Sequence, residues 1–485
     1  MASLSKVFKN TILYSLSSII LRASSIIFFP IFSAYLTKVD YGIMSITQLF
    51  VLILMSLSDI QLPRGITRFL YDDQAKEKDY EKKLMGSSFL IVIIINVLML
   101  MLIIPFGEYI FQPLLNDISF FPYMTFALAA VPFTIVFNQY KSLQKAKHNG
   151  KTVFTLDMLY FGGNILLNLL FVVGFKMDAL GIILSTLVNS LIMGTYAFIK
   201  YYRNTVLKID FKFLKPVLKY TIPLIPFMLM GVLLNSVDAI FLNSIQGAEI
   251  SGIYYIALTF AALFSMFKES FNFAFTPWFF ENFREENYQY IRKLFNIITW
   301  GAGFIALLIS IFGYEVLYIL SSNPELVEAW KYIPLATFGL LIVFIGQLYN
   351  LAVYYSKTKS NLLFISNTAG FIVNLLLCFA FASVFNPYYA LIAKAAGFSV
   401  MGAIQVFLAV KSTDFKFNHL NTIFTLIIVG ILSFMHYLPL DYYILLFIKL
   451  IIVIIGALFF IKKLKNTKIE LLDFIKTVKN KFSKK

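Results

Sequence analysis

The residues with the most chemical potential in this 485-residue chain are charges and amides embedded in apolar stretches. If the segment around Arg22 is helical, Ser15, Ser18, Arg22 and Ser25 share one face, because positions three and four apart lie above one another. A second stripe is Ser265, Glu269, Asn272 and Thr276, with Lys268 beside it. Gly231, Asn235 and Asp238 form a third, and Asp157, Asn164 and Asn168 a fourth, while Asp59 is followed by Arg64 and Arg68. Arginine offers a planar, permanently charged fork suited to phosphate oxygens, and lysine offers a point charge. Arg22, Lys268, Arg64 and Arg68 are therefore candidates for holding a phosphate or diphosphate. Asn164, Asn168, Asn235, Asn272 and Asn374 are candidates for contacts to sugar hydroxyls. Asp59, Asp238 and Glu269 are candidates for proton or sodium coupling, since a carboxylate in a low-dielectric setting readily takes up a cation. The same residues also admit a plainer reading. Arg22 and Lys268 could pair with Asp238 or Glu269 as struts, Arg64 and Arg68 could mark topology, and the amides could bridge helices.

Other chemistry finds little material. Cys378 is the sole cysteine and can form no internal disulfide, and His148, His419 and His436 have no metal-ligand spacing. No catalytic constellation and no metal site is read, so the chain is expected not to be an enzyme and to need no cofactor beyond H+ or Na+.

The elements that must position these residues follow from composition. The chain is 59% hydrophobic, 17% aromatic and 14% charged. A soluble domain is roughly 45–50% apolar and about 25% charged, so this is a membrane protein. A spanning helix needs about 20 mostly apolar residues. Fourteen candidates run near 11–36, 42–62, 84–105, 122–140, 152–175, 179–199, 217–245, 251–275, 294–319, 334–356, 361–385, 388–410, 420–438 and 442–461. Arg22 lies some 18 Å into the first at 1.5 Å per residue.

The excess of 41 Lys+Arg over 25 Asp+Glu, a net +16, is distributed by side. Alternate span ends carry 34 of the basic residues, and the opposite set carries only Lys38, Lys176 and Lys331. The positive-inside rule then places both termini in the cytoplasm, and the charge is no nucleic-acid footprint. Four basic residues fall inside spans: Arg22, Lys268, Lys394 and Lys449. Lys394 can snorkel toward the outer surface, and Lys449 reads as facing lipid headgroups. No extramembrane segment much exceeds twenty residues, which leaves no room for a nucleotide-binding domain. Residues 1–36 read as a retained first helix. In 465–485, Leu472, Ile475, Val478 and Phe482 at helical spacing among lysines predict an amphipathic helix on the anionic inner leaflet.

An internal repeat organises the spans. Gly42 and Gly252 each follow an apolar run and a short polar turn, 210 residues apart, and Asn138-Gln139-Tyr140 is echoed by Gln347-Leu348-Tyr349. Asn168 with Asn374, and Met193-Gly194 with Met401-Gly402, keep nearly the same offset. The expected fold is an all-α integral membrane protein of about 14 transmembrane helices, two parallel six-helix repeats plus helices 13–14. The expected domains are residues 1–204 and 205–416 as lobes, 417–464 as the added pair, and 465–485 as a basic cytoplasmic tail. Repeats of this kind bind substrate near the midplane and alternate access by rocking.

The stretch Leu218 to Pro226 (LKYTIPLIP), then Asn235 to Asp238 (NSVD) and Gly252 to Ile256 (GIYYI), is similar to the Wzx-like polysaccharide-exporter branch of the multidrug/oligosaccharidyl-lipid/polysaccharide (MOP) superfamily. Leu36 to Gly42, Arg68 to Asp72 and Pro277 to Glu281 add to the likeness. One departure is Ala239, where the family often has a basic residue after the aspartate. The resemblance implies the MOP fold and a flippase in the bacterial inner membrane. Its substrate would be an undecaprenyl-diphosphate-linked oligosaccharide, moved for O-antigen, lipopolysaccharide or capsule-type synthesis. It also implies membrane lipids as surroundings, and a polysaccharide polymerase and chain-length machinery as partners. The related lipid II flippase uses cations in spans 1, 2 and 8, the spans that here hold Arg22, Arg64 or Arg68, and Lys268. That relative uses its two extra spans as a groove for the lipid tail. The alternatives are a lipid II-type flippase and a multidrug cation antiporter of the same superfamily, the latter expecting an anionic cavity and twelve spans.

Overall fold

The computed structural model describes residues 4–70, 79–203, 205–356, 362–413 and 415–466, and among them there is no strand. Among the described residues, eleven helices are long and apolar enough to cross a membrane. One of them, Leu224–Asn272, is broken at Gly247, where φ is 77° and ψ is −177°. Only glycine adopts that backbone region without strain, so the break divides the element into two spans. Two shorter apolar helices, Leu16–Phe32 and His419–Ser433, complete the fourteen stretches expected from hydropathy. The last helix runs Tyr442–Asn466. The amphipathic tail expected beyond it lies outside the described residues.

Two boundaries differ from expectation for local reasons. The seventh span was expected over 217–245. A separate helix Phe211–Thr221 instead ends before Pro223, and the spanning helix starts at Leu224. Pro223 has no N–H to continue the first helix, whereas Pro226 sits in the first turn of the second, where none is needed. Phe211–Thr221 buries Phe213, Leu214, Val217 and Thr221. The ninth span, expected to 319, stops at Ile311, and a new helix begins at Gly313.

The chain divides into two compact units, one of Met1–Leu21 with Ile31–Ile253 and one of Arg22–Pro30 with Tyr254–Lys485. In the first unit, side chains close the helix ends. Asp117 Oδ1 accepts from the Ala248 N–H at 3.0 Å, which caps the helix restarting after Gly247. Asn243 Nδ2 donates to the carbonyls of Leu114 and Leu115 at 3.0 and 2.9 Å, and Asn116 Nδ2 returns a bond to the Asn243 carbonyl at 3.2 Å. Asp40 closes a capping box with Thr37 and also accepts from the Ala179 N–H at 3.1 Å. A helix end without such partners leaves up to four orphan groups, which are most costly where water is scarce.

The repeat is visible as geometry. A Cβ on Gly42 would stand 1.9 Å from the Ala248 carbonyl oxygen, and one on Gly252 would stand 1.8 Å from the Lys38 oxygen. Positions 38 and 248, like 42 and 252, are 210 apart, so the two contacts are images of one another. Such reciprocity is the signature of a two-fold relation. Lys38 adds an ion pair to Glu249 at 3.6 Å.

In the second unit the core is aromatic. Phe264, Phe275, Phe279, Phe295 and Phe344 are each nearly or fully buried. Phe344 packs edge-on to Phe264 and Phe271 at 6.0 and 5.8 Å.

Candidate functional site

Within the second unit, the structure brings three of the intramembrane charges together. Arg22, on the helix Leu4–Ile27, places Nη2 2.8 Å from Glu269 Oε1. Lys268 is half-buried beside them, within electrostatic reach of both. Arg22 and Glu269 keep 49% and 32% of their side-chain surface. A charge facing hydrocarbon at this depth costs about 2.5–3.5 kcal/mol on insertion scales. The cluster has two basic side chains and one carboxylate. One helical turn on, Asn272 Nδ2 donates to Gln347 Oε1 at 3.1 Å.

The other candidates in this unit are enclosed. Asn374 is fully buried and accepts from Cys378 Sγ at 3.6 Å. Lys394 is 7% exposed and lies 5.6 Å from the Tyr254 ring centre, so it is packed against an aromatic face and does not snorkel. Lys449 corrects its expected headgroup position. Its side chain is fully buried, with Nζ 2.7 Å from Glu315 Oε1.

In the first unit, Asp59 follows the helix Lys38–Ser58, is half-buried and accepts from the Gln61 N–H and Nε2 at 2.8 and 3.2 Å. Arg64 acts on it electrostatically. Arg64 and Arg68 are both exposed on the short helix Leu62–Phe69, and the Arg68 guanidinium lies 4.3 Å from the Tyr220 ring centre. Asn235 is exposed and donates to the Gly231 carbonyl at 2.7 Å, whereas Asp238, one turn away, is fully buried. The stripe expected there is thus split between surface and interior. Asn168 Nδ2 donates to Asn164 Oδ1 at 3.0 Å.

Asp157, which the sequence placed in a stripe with Asn164 and Asn168, belongs in this unit to a polar column whose lysines the sequence did not single out. Lys141 Nζ lies 2.7 Å from Asp157 Oδ1, with side-chain exposures of 18% and 6%. Lys145 is within electrostatic reach of both and sits 5.8 Å from the Tyr14 ring centre. Further along, Tyr160 meets Ser190 at 3.4 Å, and Thr134 donates to Ser190 at 3.0 Å. The signal available was the i, i+4 spacing of Lys141 and Lys145, which puts both on one face of the helix Val131–Ala146. Among the described residues, no group of three or more His, Cys, Asp or Glu side chains is placed to hold a metal ion.

Comparison with solved structures shows the fold of this multi-pass helical chain. The structure of "Lipid II flippase MurJ, inward closed conformation" aligns with a TM-score of 0.71 at 16% identity, covering 94% of this chain and 100% of that one. The "Crystal structure of MATE in complex with MaL6" aligns at 0.59 with 13% identity over 85% and 98% of the two chains. A MOP superfamily transporter from Pyrococcus furiosus, whose "reverse polarity of binding pocket suggests different function", aligns at 0.58 with 13% identity over 89% and 99%. No curated protein matches the chain. A family model described as "Polysaccharide biosynthesis protein" matches residues 7–283, and the chain belongs to that family.

Proposed function

We propose that this protein is a flippase for polyprenyl-diphosphate-linked oligosaccharides, moving repeat units of a surface polysaccharide across the bacterial inner membrane with both termini in the cytoplasm. The observation that carries the reading is the half-open group of Arg22, Glu269 and Lys268 on spanning helices, cationic overall, in a chain of the polysaccharide biosynthesis family. A diphosphate approaching this group would displace Glu269 from the Arg22 fork and accept from Lys268. Amides near it, such as Asn272, suit sugar hydroxyls, and the polyprenyl tail would stay in lipid. Residues 1–204 and 205–416 would act as the two lobes that alternate access, with 417–464 added alongside. Directionality would come from H+ or Na+, for which Asp59, Asp238 and Glu269 are the candidate carriers, or from removal of product by a polymerase.

The test is deletion followed by mass analysis of lipid-linked intermediates and their leaflet. Accumulation of a complete undecaprenyl-linked repeat unit on the cytoplasmic side is expected. A normal pool, or unpolymerised units already facing outward, refutes the reading. Export of cationic dyes by the purified chain that survives Arg22→Ala would instead favour a multidrug antiporter.

A further inference from the structure

We infer that the helix Phe211–Thr221, which lies within the first unit just before the seventh span, is a docking surface for anionic phospholipid headgroups at the membrane boundary. Its two halves have different surroundings. At 3.6 residues per turn, Phe213, Leu214, Val217 and Thr221 share one half, and all four are buried. The opposite half is exposed and carries Phe211, Lys212, Lys215, Lys219 and, at the helix end, Ile222. Within that half the apolar and basic residues do not mix. Phe211 and Ile222 lie within about 40° of Lys215 on one side of it, and Lys212 and Lys219 lie within about 60° on the other. Phe211 is 68% exposed and Ile222 is 51% exposed.

The buried half fixes where this exposed half sits. At the first end, Ser87 Oγ accepts from the Asp210 N–H at 2.8 Å and donates to the Lys208 carbonyl at 3.0 Å, and Phe213 is set edge-on to Tyr80 at 5.1 Å. Ser87 is two turns into the spanning helix Tyr80–Leu115, where its apolar stretch begins. At the other end, a Cβ on Gly65 would stand 2.6 Å from the side chains of both Val217 and Thr221, and Tyr220 is edge-on to Phe69 at 6.0 Å. Two residues beyond Ile222 the chain enters the spanning helix that starts at Leu224. Both ends of the helix are thus held at the level where spans meet the boundary. Its length of roughly 16 Å therefore runs along the membrane and not out from it.

Charge selects the occupant. Residues 208–219 hold four lysines and one carboxylate, Asp210, whose Oδ1 is engaged by the Lys212 N–H at 3.1 Å. Lys215 and Lys219 have no ion-pair partner among the described residues. An apolar edge beside a basic edge is the pattern of a helix lying in the interface, with aromatic and aliphatic side chains in the acyl boundary and lysine stems reaching the headgroups. A phospholipid with net negative charge meets both edges at once: its phosphate faces the lysines, and its glycerol and upper chains cover Phe211 and Ile222. The proposed orientation makes this the cytoplasmic leaflet. The surface shares no residue with the Arg22 group, so the inference does not depend on what that group carries.

The experiment uses the full chain purified in neutral detergent. Phosphatidylglycerol is titrated and counted by native mass spectrometry, with phosphatidylcholine as control. A lysine near an anionic leaflet strengthens binding about fivefold, so Lys215→Gln with Lys219→Gln should weaken the tightest phosphatidylglycerol binding by about twenty- to thirtyfold and leave phosphatidylcholine unchanged. Both substitutions spare the buried half, so the fold survives. Lys151→Gln with Lys293→Gln removes the same charge from two other helices and should have little effect. A second readout places the apolar edge. In nanodiscs containing both lipids, a nitroxide attached after Phe211→Cys should collide with oxygen more often than with a water-soluble nickel chelate; Cys378 is buried and stays unlabelled. Phosphatidylglycerol binding that Lys215→Gln with Lys219→Gln leaves unchanged, or an equal loss in the control pair, overturns the inference. So does a label that meets the nickel chelate more often, since the face would then be open to water or to a protein partner. None of these results bears on export through the Arg22 group, which the lipid-intermediate assay reads separately.

Discussion

The contact between Lys449 and Glu315 gives the sharpest quantitative prediction. Lys449 is on the helix Tyr442–Asn466, outside the repeat, and Glu315 is on the short helix Gly313–Leu320. The lysine side chain is completely buried, the carboxylate is 14% exposed, and Nζ and Oε1 are 2.7 Å apart. At that distance the attraction is about 6 kcal/mol for an effective dielectric constant near 20. Most of it is offset by the cost of taking both ions out of water, so the pair as a unit contributes little net stability. Removing one partner is different, because the other charge stays desolvated. Glu315 Oε2 already has no hydrogen-bond partner among the described residues, so little around it can compensate. Lys449→Met should therefore cost about 3–5 kcal/mol, while Lys449→Met with Glu315→Leu should return to within about 1 kcal/mol of the parent, or exceed it. The assay is a double-mutant cycle on thermal unfolding in detergent, read by loss of monodisperse protein. Additive losses, or a harmless Lys449→Met, would refute the reasoning that the two charges are mutually compensated.

Three further outcomes are expected. Arg22→Gln should abolish polysaccharide export while leaving the amount of folded protein unchanged, measured as surface polymer per unit of protein in membranes; full export would sink the diphosphate role. Lys141→Met should destabilise the first unit by about 3–5 kcal/mol, because it leaves the buried Asp157 unpaired, and adding Asp157→Asn should recover most of the loss in the same unfolding assay. Gly42→Leu and Gly252→Leu should each cost about 1–3 kcal/mol and by similar amounts, since each new side chain meets backbone that cannot step aside. A large loss at one glycine and none at the other would contradict the equivalence of the two contacts.

What was legible in the sequence follows from how local each cause is. The fourteen apolar stretches appear as helices because length and hydropathy are properties of one segment at a time. The repeat was legible because the stretches around Gly42 and Gly252 carry their own signature, and the structure sets each of these two helical glycines against the counterpart of the other's surroundings. The errors have distant causes. Nothing near Lys449 indicates a partner 134 residues earlier, so a headgroup position was the natural reading of a lysine in an outlying span. Lys141 and Lys145 fell within a basic cluster that the positive-inside pattern already explained, which hid the tie to Asp157. For Asn235 and Asp238, one-turn spacing says that two residues are neighbours along a helix. It does not say that both face the same surroundings, and only one of them is exposed.

Exposure separates the two uses of charge in this molecule. Lys449 with Glu315 and Lys141 with Asp157 are tight pairs with little open surface, so any third party would have to displace a desolvated partner before reaching either ion. Breaking such a pair costs several kcal/mol, which is appropriate for holding helices and prohibitive for a site that must fill and empty each cycle. Arg22 and Glu269 make a contact of nearly the same length, yet a third to a half of each side chain is open, and Lys268 adds a second cation within reach. The cost of opening that pair is correspondingly small, and an anion arriving from water restores the charge balance that the departing carboxylate removes. Pair length alone does not distinguish a strut from a binding group here; residual exposure together with unequal charge does. On that criterion the Arg22 group differs from the two struts in the way the proposed diphosphate role requires.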